Sequence, residues 1–127
     1  MNGINDYLDK FKESLKNVGV TKIHEFTIKE LTKQKKWGEW SYKQGVYIFK
    51  EKEKIVYVGR ALTTLGSRVY SQIRAFGDPD WDRIIKNSLN TVIVICVHDN
   101  MRPIASALEV FLIEKIKPRP EFNKRIQ

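Results

Sequence analysis

Two short apolar runs, VYIF and IVYV, stand close together in the sequence and are separated by the charged segment KEKEK. Short runs rich in Val, Ile and Tyr predict β-strands, and a charged loop between them predicts an antiparallel hairpin. The symmetric register pairs Phe49 with Ile55, and it would place Tyr47 directly opposite Tyr57 on one face of the sheet. The hairpin therefore anchors a small antiparallel sheet, in which the two tyrosines are either packing residues or half of an active site.

The segments after the hairpin show helical and strand patterns in turn. Helices are predicted from about Thr64 to Ala75 and again after Pro79, and the apolar run TVIVICV predicts a third strand. Pro103 opens a last predicted helix, which stops before Pro118 because proline cannot continue a helix. These elements predict an α+β fold with a small, mainly antiparallel three-stranded sheet flanked by helices.

The segment before the hairpin has a different pattern. Apolar residues recur at helical spacing over residues 4–17, and Thr27 with Glu30 forms a capping-box pattern at the start of a second, short helix. This segment contains no catalytic motif. We therefore expect residues 1–44 to be a helical N-terminal extension, packed on a main domain formed by residues 45–127.

Three aromatic residues, Trp37, Trp40 and Tyr42, lie among lysines near the end of this extension. Exposed aromatic rings in a basic setting can stack on nucleic-acid bases. Buried rings would instead act as a hydrophobic clasp that holds the extension on the main domain. The clasp is the favoured interpretation.

The chain of 127 residues carries a net charge of +8, which indicates a polyanionic partner, most often nucleic acid. Its single cysteine, Cys96, lies in an apolar run and is predicted to be a core residue. One cysteine excludes a disulfide framework within the chain and fits a reducing compartment. The N-terminus lacks the apolar region of a secretory signal. We expect an intracellular protein, cytoplasmic or nucleoid-associated.

One carboxylate, that of Glu109, falls in an unusual place on the last predicted helix. At about 100° per residue, Glu109 lies within the apolar stripe that includes Leu108 and Leu112, whereas Glu114 lies on the opposite side. A carboxylate that faces a core needs a cation or several donors to offset its burial. Glu109 is therefore either a ligand for a hard cation, with water at the other positions, or half of a structural Glu–Arg pair.

Taken together, the motifs resemble those of the GIY-YIG nuclease family. GVY at residues 45–47 and YVG at residues 57–59 resemble its two signature motifs, and LGSRV resembles its helix with an essential arginine. LEVFLIEKIKPRPEFN resembles its final helix, with the metal-binding glutamate, a proline and a late asparagine. Within this family, the pattern of motifs resembles that of the N-terminal nuclease domain of excinuclease C and of its small stand-alone relatives.

The resemblance implies an endonuclease that hydrolyses a DNA phosphodiester bond with one divalent metal, Mg²⁺ or Mn²⁺, held by Glu109. It implies that Tyr47 is the general base or positions the water, and that Tyr57 is hydrogen-bonded nearby. A base role requires a depressed pKa, because an unperturbed tyrosine has a pKa of about 10. Arg68 is expected to stabilise the charge that develops on the phosphoryl group.

Four further residues are expected to contact nucleic acid, and they are Arg60, Asn123, Lys117 and Arg119. The resemblance also implies that Asn123 supports the site by hydrogen bonds. The sequence departs from the family pattern at Arg60, where many relatives have lysine, and at Gln72, where many have tyrosine or histidine. Arginine binds phosphate but does not act as a base, and glutamine does not take a proton.

The main alternative to a nuclease is a non-catalytic nucleic-acid-binding module that retains the fold. The joint presence of Tyr47, Tyr57, Arg68 and Glu109 argues against it, because a binding module has no need of a core-facing glutamate. A third interpretation is a structural or regulatory protein whose positive charge is incidental. Salt-dependent binding of DNA would remove that third interpretation.

Overall fold

The computed structural model describes residues 4–6, 20–74, 78–99 and 102–123. The fold is α+β, as predicted, with one antiparallel sheet whose strand order is β1–β4–β2–β3. The strands are β1 (Val20–Thr27), β2 (Gly45–Glu51), β3 (Lys54–Ala61) and β4 (Thr91–Val97). The helices are α1 (Ile28–Lys33), α2 (Leu65–Ile73), α3 (Pro79–Lys86) and α4 (Arg102–Lys115), with 3₁₀ turns at Glu39–Tyr42 and Glu121–Asn123.

The predicted number of strands was wrong, because the sheet has four strands rather than three. The additional strand, β1, lies within residues 1–44 and pairs antiparallel with β4, for example His24 with Val94. It is an edge strand with much of its surface in contact with solvent, and Ile23 is 63% exposed. An edge strand of this kind carries Lys, His and Glu, so it lacks the continuous apolar run that marked the other strands.

The predicted register of the hairpin was also wrong. Tyr47 pairs with Gly59, and Tyr57 pairs with Phe49, because an irregularity in the register follows Phe49. The strands extend through the charged residues, which leaves only Lys52 and Glu53 as the turn. Lys52 has a φ of 56°, the left-handed conformation that such tight turns use.

The sheet is covered on both faces. On one face, Tyr47, Phe49 and Val94 pack with α2 and with Trp81 of α3. On the other face, a second cluster contains residues of β2, β3 and β4 together with Ile113 of α4. The sheet therefore separates two apolar layers, and residues from both layers reach the candidate site.

The helices follow the predicted local signals. Thr27 and Glu30 form the capping box that begins α1, and the side chain of Thr64 caps α2. Pro79 stands in the first turn of α3, and α4 begins at Arg102, one residue before the predicted proline. Residues 4–6 are helical, and the remainder of the helix predicted over residues 4–17 lies outside the described residues.

The aromatic segment divides into a buried part and an exposed part. The rings of Trp37 and Trp40 stack with their centroids 5.3 Å apart, and Trp40 is only 5% exposed. The indole nitrogen of Trp37 donates a hydrogen bond of 2.8 Å to the carbonyl of Leu31. These two tryptophans form the predicted clasp, whereas Tyr42 is 77% exposed and takes no part in it.

Cys96 is buried in the core, which confirms the prediction for it. Burial raises the pKa of its thiol.

Within the described parts of the chain, no helix is long and apolar enough to cross a membrane.

Candidate active site

The first part of the site is the close packing of Tyr47 against Gly59 on the neighbouring strand. Tyr47 is fully buried, and it stands opposite Gly59 in the register of the hairpin. A Cβ atom at position 59 would overlap the ring and the hydroxyl group of Tyr47. The glycine of the YVG motif is therefore needed to make room for the tyrosine of the GVY motif.

The hydroxyl group of Tyr47 is buried, and no hydrogen bond of good geometry reaches it among the described residues, although Tyr57 and Arg68 lie close enough to interact with it. Burial raises the pKa of Tyr47 far above its usual value, and the nearby Tyr57 raises it further, while Arg68 acts in the opposite direction. The depressed pKa that a general base requires is thus not provided by the residues around Tyr47. Buried polar groups without a good partner are rare in folded proteins, and a catalytic role is one of the explanations for them.

Tyr57 lies beside Tyr47 on the same face of the sheet, with the ring centroids 6.0 Å apart. Trp81 also packs against Tyr57, with the ring centroids 5.8 Å apart. Trp81 is itself fixed, because its indole nitrogen donates a hydrogen bond of 2.7 Å to the carbonyl of Gln72. Sequence reasoning missed this supporting role of Trp81. The available signal was a tryptophan in the first turn of a helix that Asp78 caps.

Glu109 faces the core, as its helical position predicted, and it is 5% exposed. Its Oε1 atom pairs with Nη1 of Arg60 at 3.1 Å. Burial raises the pKa of the Glu109 carboxyl, and the positive charges of Arg60 and Arg68 oppose that rise. Over the described residues, Oε2 accepts no hydrogen bond. One carboxylate oxygen thus remains available to another ligand.

Arg68 connects the tyrosines with the carboxylate. It lies exposed on α2, and its positive charge acts on both Tyr47 and Glu109, where it favours the lower pKa. Of the four residues that were predicted to be catalytic, Tyr47 and Tyr57 are in contact, and Arg68 acts electrostatically on both Tyr47 and Glu109. It also adds Arg60 to this group, as the ion-pair partner of Glu109.

The donor set at Glu109 fits a divalent hard cation bound mainly through water. No group of three or more His, Cys, Asp or Glu residues is present in the described ranges, so a cation here would have few protein ligands. Mg²⁺ is commonly bound through one or two carboxylates, keeps several waters and contacts the substrate phosphate. The free oxygen of Glu109 is a suitable ligand of that type.

Asn123 is fully buried and clamps the outer edge of β3. Its Oδ1 atom accepts a hydrogen bond of 2.7 Å from the backbone nitrogen of Val58, and its Nδ2 atom donates one of 2.8 Å to the carbonyl of the same residue. Both ends of the amide are therefore occupied by the strand that carries Tyr57. This geometry matches a supporting role for Asn123 more closely than a contact with nucleic acid.

The two other basic residues predicted to contact nucleic acid lie in the segment between α4 and Asn123. Lys117 and Arg119 are both exposed. Arg119 also donates a hydrogen bond of 3.2 Å to the carbonyl of Asn123, so it helps to hold the clamp in place. Their contact with nucleic acid stays a prediction.

Comparison with models of protein families gives a match. The family model described as UvrC-like GIY-YIG domain matches residues 43–124 of the 127 residues. This range contains β2, β3, α2, α3, β4 and α4, and hence every residue of the candidate site. A search of the curated proteins found no match.

Proposed function

The chain belongs to the family of UvrC-like GIY-YIG domains, and on that premise we propose that it is a metal-dependent DNA endonuclease that hydrolyses a phosphodiester bond. The family is generally one of endonucleases. The observation that supports the proposal is that Arg68 acts electrostatically on both Tyr47 and Glu109, where a buried tyrosine hydroxyl lacks a hydrogen bond of good geometry and one carboxylate oxygen accepts none in the described structure.

In this proposal Glu109 holds Mg²⁺ or Mn²⁺ through its free oxygen. A bound divalent cation supplies charge stabilisation for the phosphate and activates water at neutral pH. Arg60 already neutralises the other oxygen of Glu109, so it maintains the ionised carboxylate within an apolar layer until a second cation arrives.

We assign Tyr47 the positioning of the attacking water rather than the removal of its proton. Because the pKa of Tyr47 is raised, the hydroxyl keeps its proton at neutral pH. A phenol that keeps its proton can still orient a water or a phosphate oxygen by a hydrogen bond. The ring of Tyr57 packs against that of Tyr47, and Gly59 leaves room for the ring beside β3.

The two arginines take different parts. Arg68 lies close to both Tyr47 and Glu109, where a guanidinium group stabilises negative charge that develops on the phosphoryl group. Arg60 is half exposed, and its planar group can contact a phosphate while it remains near Glu109. Arg60 therefore contributes mainly to binding of the ground state.

The test is incubation of the protein with plasmid DNA and with defined branched, damaged and single-stranded DNA, in the presence of Mg²⁺, Mn²⁺ or EDTA. The proposal predicts cleavage of at least one substrate with metal and none with EDTA. Glu109→Gln should bind the same DNA in EDTA but should not cleave it with metal. Salt-dependent binding by the wild type, without cleavage of any substrate, would instead support the non-catalytic module.

A further inference from the structure

A cleft of about 740 Å³ lies beside α2 and is separate from the candidate active site. One wall is formed by residues 31–42, and the other wall is formed by α2 and the residue that follows it. The lining contains no Asp or Glu. It contains three cationic and three aromatic side chains, which are Lys35, Lys36, Arg74, Trp37, Tyr42 and Tyr70.

Two of these aromatic rings are exposed and are not part of the hydrophobic core. Tyr42 is 77% exposed and Tyr70 is 52% exposed. The clasp between the N-terminal segment and the main domain is made by Trp37 and Trp40. The ring of Trp37 also reaches that of Tyr70, with centroids 6.4 Å apart and the ring planes at 59°. The cleft therefore presents aromatic faces that packing does not explain.

The walls of the cleft are held close together by the backbone. A Cβ atom at Gly66 would come within 2.8 Å of the Cβ atom of Ser41, so the start of α2 packs directly on the 3₁₀ turn. The backbone nitrogen of Leu65 donates a hydrogen bond of 2.8 Å to the carbonyl of Lys43. Because these contacts fix both walls, the aromatic rings are preorganised for a ligand.

Charge and aromaticity are combined in one pair of residues. The guanidinium carbon of Arg74 lies 4.6 Å from the centroid of the Tyr70 ring, which is a cation–π contact. Such a pair presents a flat surface for stacking together with a positive charge for a phosphate. Proteins that bind single-stranded nucleic acid combine these two elements, a basic groove and aromatic platforms for the bases.

The position of the cleft relates it to the active site. Tyr70 is two residues after Arg68 on α2, so at about 100° per residue the two side chains leave the helix in nearly opposite directions. An α-helix with its side chains is only about 10–12 Å across. A nucleic-acid strand bound in the cleft would therefore pass around α2 and reach the candidate site within a few nucleotides.

We propose that this cleft binds unpaired nucleotides of the DNA strand, with their bases stacked on Tyr42 and Tyr70 and their phosphates on Lys35, Lys36 and Arg74. The bases of a duplex are stacked on each other and are not available to these rings, so the cleft favours substrates with an unpaired segment. The role of this segment in cleavage rests on the proposed nuclease function, whereas its binding does not.

The experiment measures the affinity of fluorescently labelled oligonucleotides, single-stranded and duplex, by anisotropy in EDTA. The double variant Tyr42→Ala/Tyr70→Ala should bind single strands at least about 5-fold more weakly for each lost ring, since one stacked base contributes roughly 1–3 kcal/mol. Its affinity for duplex should change much less. Tyr42→Phe/Tyr70→Phe should bind like the wild type, because phenylalanine keeps the stacking face.

A matched control lies on α4. Phe111 is 54% exposed, and the Nζ atom of Lys115 lies 5.8 Å from its ring centroid, so this pair repeats the chemistry of Tyr70 and Arg74 outside the cleft. Phe111→Ala should leave affinity for single strands unchanged. Circular dichroism checks that each variant is folded.

The proposal is overturned if the double alanine variant keeps wild-type affinity for single strands, or if it loses affinity for single strands and duplex equally. Strong single-strand binding that needs both tyrosines, without cleavage of any DNA, would remove the nuclease function and leave the cleft assignment intact. Cleavage of DNA by a protein whose affinity for single strands does not depend on these tyrosines would support the nuclease function and overturn the cleft assignment.

Discussion

Removal of the Tyr47 hydroxyl group should make the protein more stable and less active. The hydroxyl is buried, and among the described residues it makes no hydrogen bond of good geometry and only weaker interactions with Tyr57 and Arg68. An unsatisfied buried polar group costs about 1–3 kcal/mol, so Tyr47→Phe should raise the free energy of unfolding by about that amount. For 127 residues, the average entropy of unfolding is about 0.27 kcal/mol/K, so the expected rise in Tm is about 4–11 °C.

The same change should lower the rate of DNA cleavage. If Tyr47 donates a positioning hydrogen bond near the reacting phosphate, its loss should cost about 10²–10³-fold in kcat. The assay is single-turnover cleavage at saturating metal, combined with thermal unfolding followed by circular dichroism. Tyr57→Phe is the matched control: its ring is only partly buried, and its hydroxyl is not among the buried groups without a partner, so stability should change little and the rate should fall less.

The raised pKa of Tyr47 also predicts how pH acts on the wild type and the variant. Tyr47 keeps its proton in the folded protein at pH values where the unfolded chain, with a tyrosine pKa of about 10, has begun to lose it. The stability of the wild type should therefore fall as pH rises above about 10, and this fall should be smaller in Tyr47→Phe, which has no group that titrates at this position. Between pH 6 and 9 the pH–rate profile of Tyr47→Phe should be lower than that of the wild type but should have the same shape.

Two results would refute this reasoning about Tyr47. A Tyr47→Phe protein that is less stable than the wild type would show that its hydroxyl group has a partner that stabilises the fold. A wild-type rate that rises with pH, together with loss of that rise in the variant, would restore the general-base role. Near-normal activity of the variant would return Tyr47 to a packing role.

The remaining predictions concern the residues around this tyrosine. Gly59→Ala should cost about 1–3 kcal/mol in stability because its Cβ overlaps the neighbouring tyrosine ring, and a displacement of about 1 Å should lower kcat about 10²-fold. Asn123→Ala should cost about 2–6 kcal/mol in urea unfolding, since it leaves two backbone groups of Val58 without partners. Arg68→Ala should lower kcat by about 10²–10³-fold with little effect on DNA binding. Arg60→Ala should mainly weaken binding and reduce the salt slope by about 1.

Each of these expectations has a clear contrary outcome. A fully active Gly59→Ala protein would show that the position of the tyrosine ring does not matter for the reaction. An Asn123→Ala protein with wild-type stability would show that water replaces the amide on β3. Equal, small effects of the two arginine variants on kcat would show that Arg68 and Arg60 do not have the different roles proposed for them.

The sequence predicted the elements of the main domain better than it predicted how they pair. The apolar runs identified β2, β3 and β4, but the register of the hairpin depends on the irregularity after Phe49 and on the left-handed conformation of Lys52. The pattern of apolar residues predicts neither feature. The strand β1 was missed for a related reason, because solvent contact lets an edge strand carry polar residues.

For the candidate site, the sequence predicted that Glu109 faces the core, but it did not predict the ion pair of Glu109 or the protonation of Tyr47. The helical position of Glu109 was sufficient to predict that it faces the core. Its pairing with Arg60 depends on how α4 packs across β3, which no local pattern specifies. The raised pKa of Tyr47 follows mainly from its burial, whereas the general-base role implied by the resemblance requires a depressed pKa.

The most direct test of the account is the binding of Mn²⁺ to the protein without DNA, followed by the loss of the electron paramagnetic resonance signal of free Mn²⁺. Three proteins are compared: the wild type, Glu109→Gln, and Glu114→Gln, which removes an exposed carboxylate from the same helix. The account predicts that the wild type and Glu114→Gln bind Mn²⁺ equally and that Glu109→Gln loses this binding. Unchanged binding of Mn²⁺ by Glu109→Gln would contradict the assignment of Glu109 as the metal ligand.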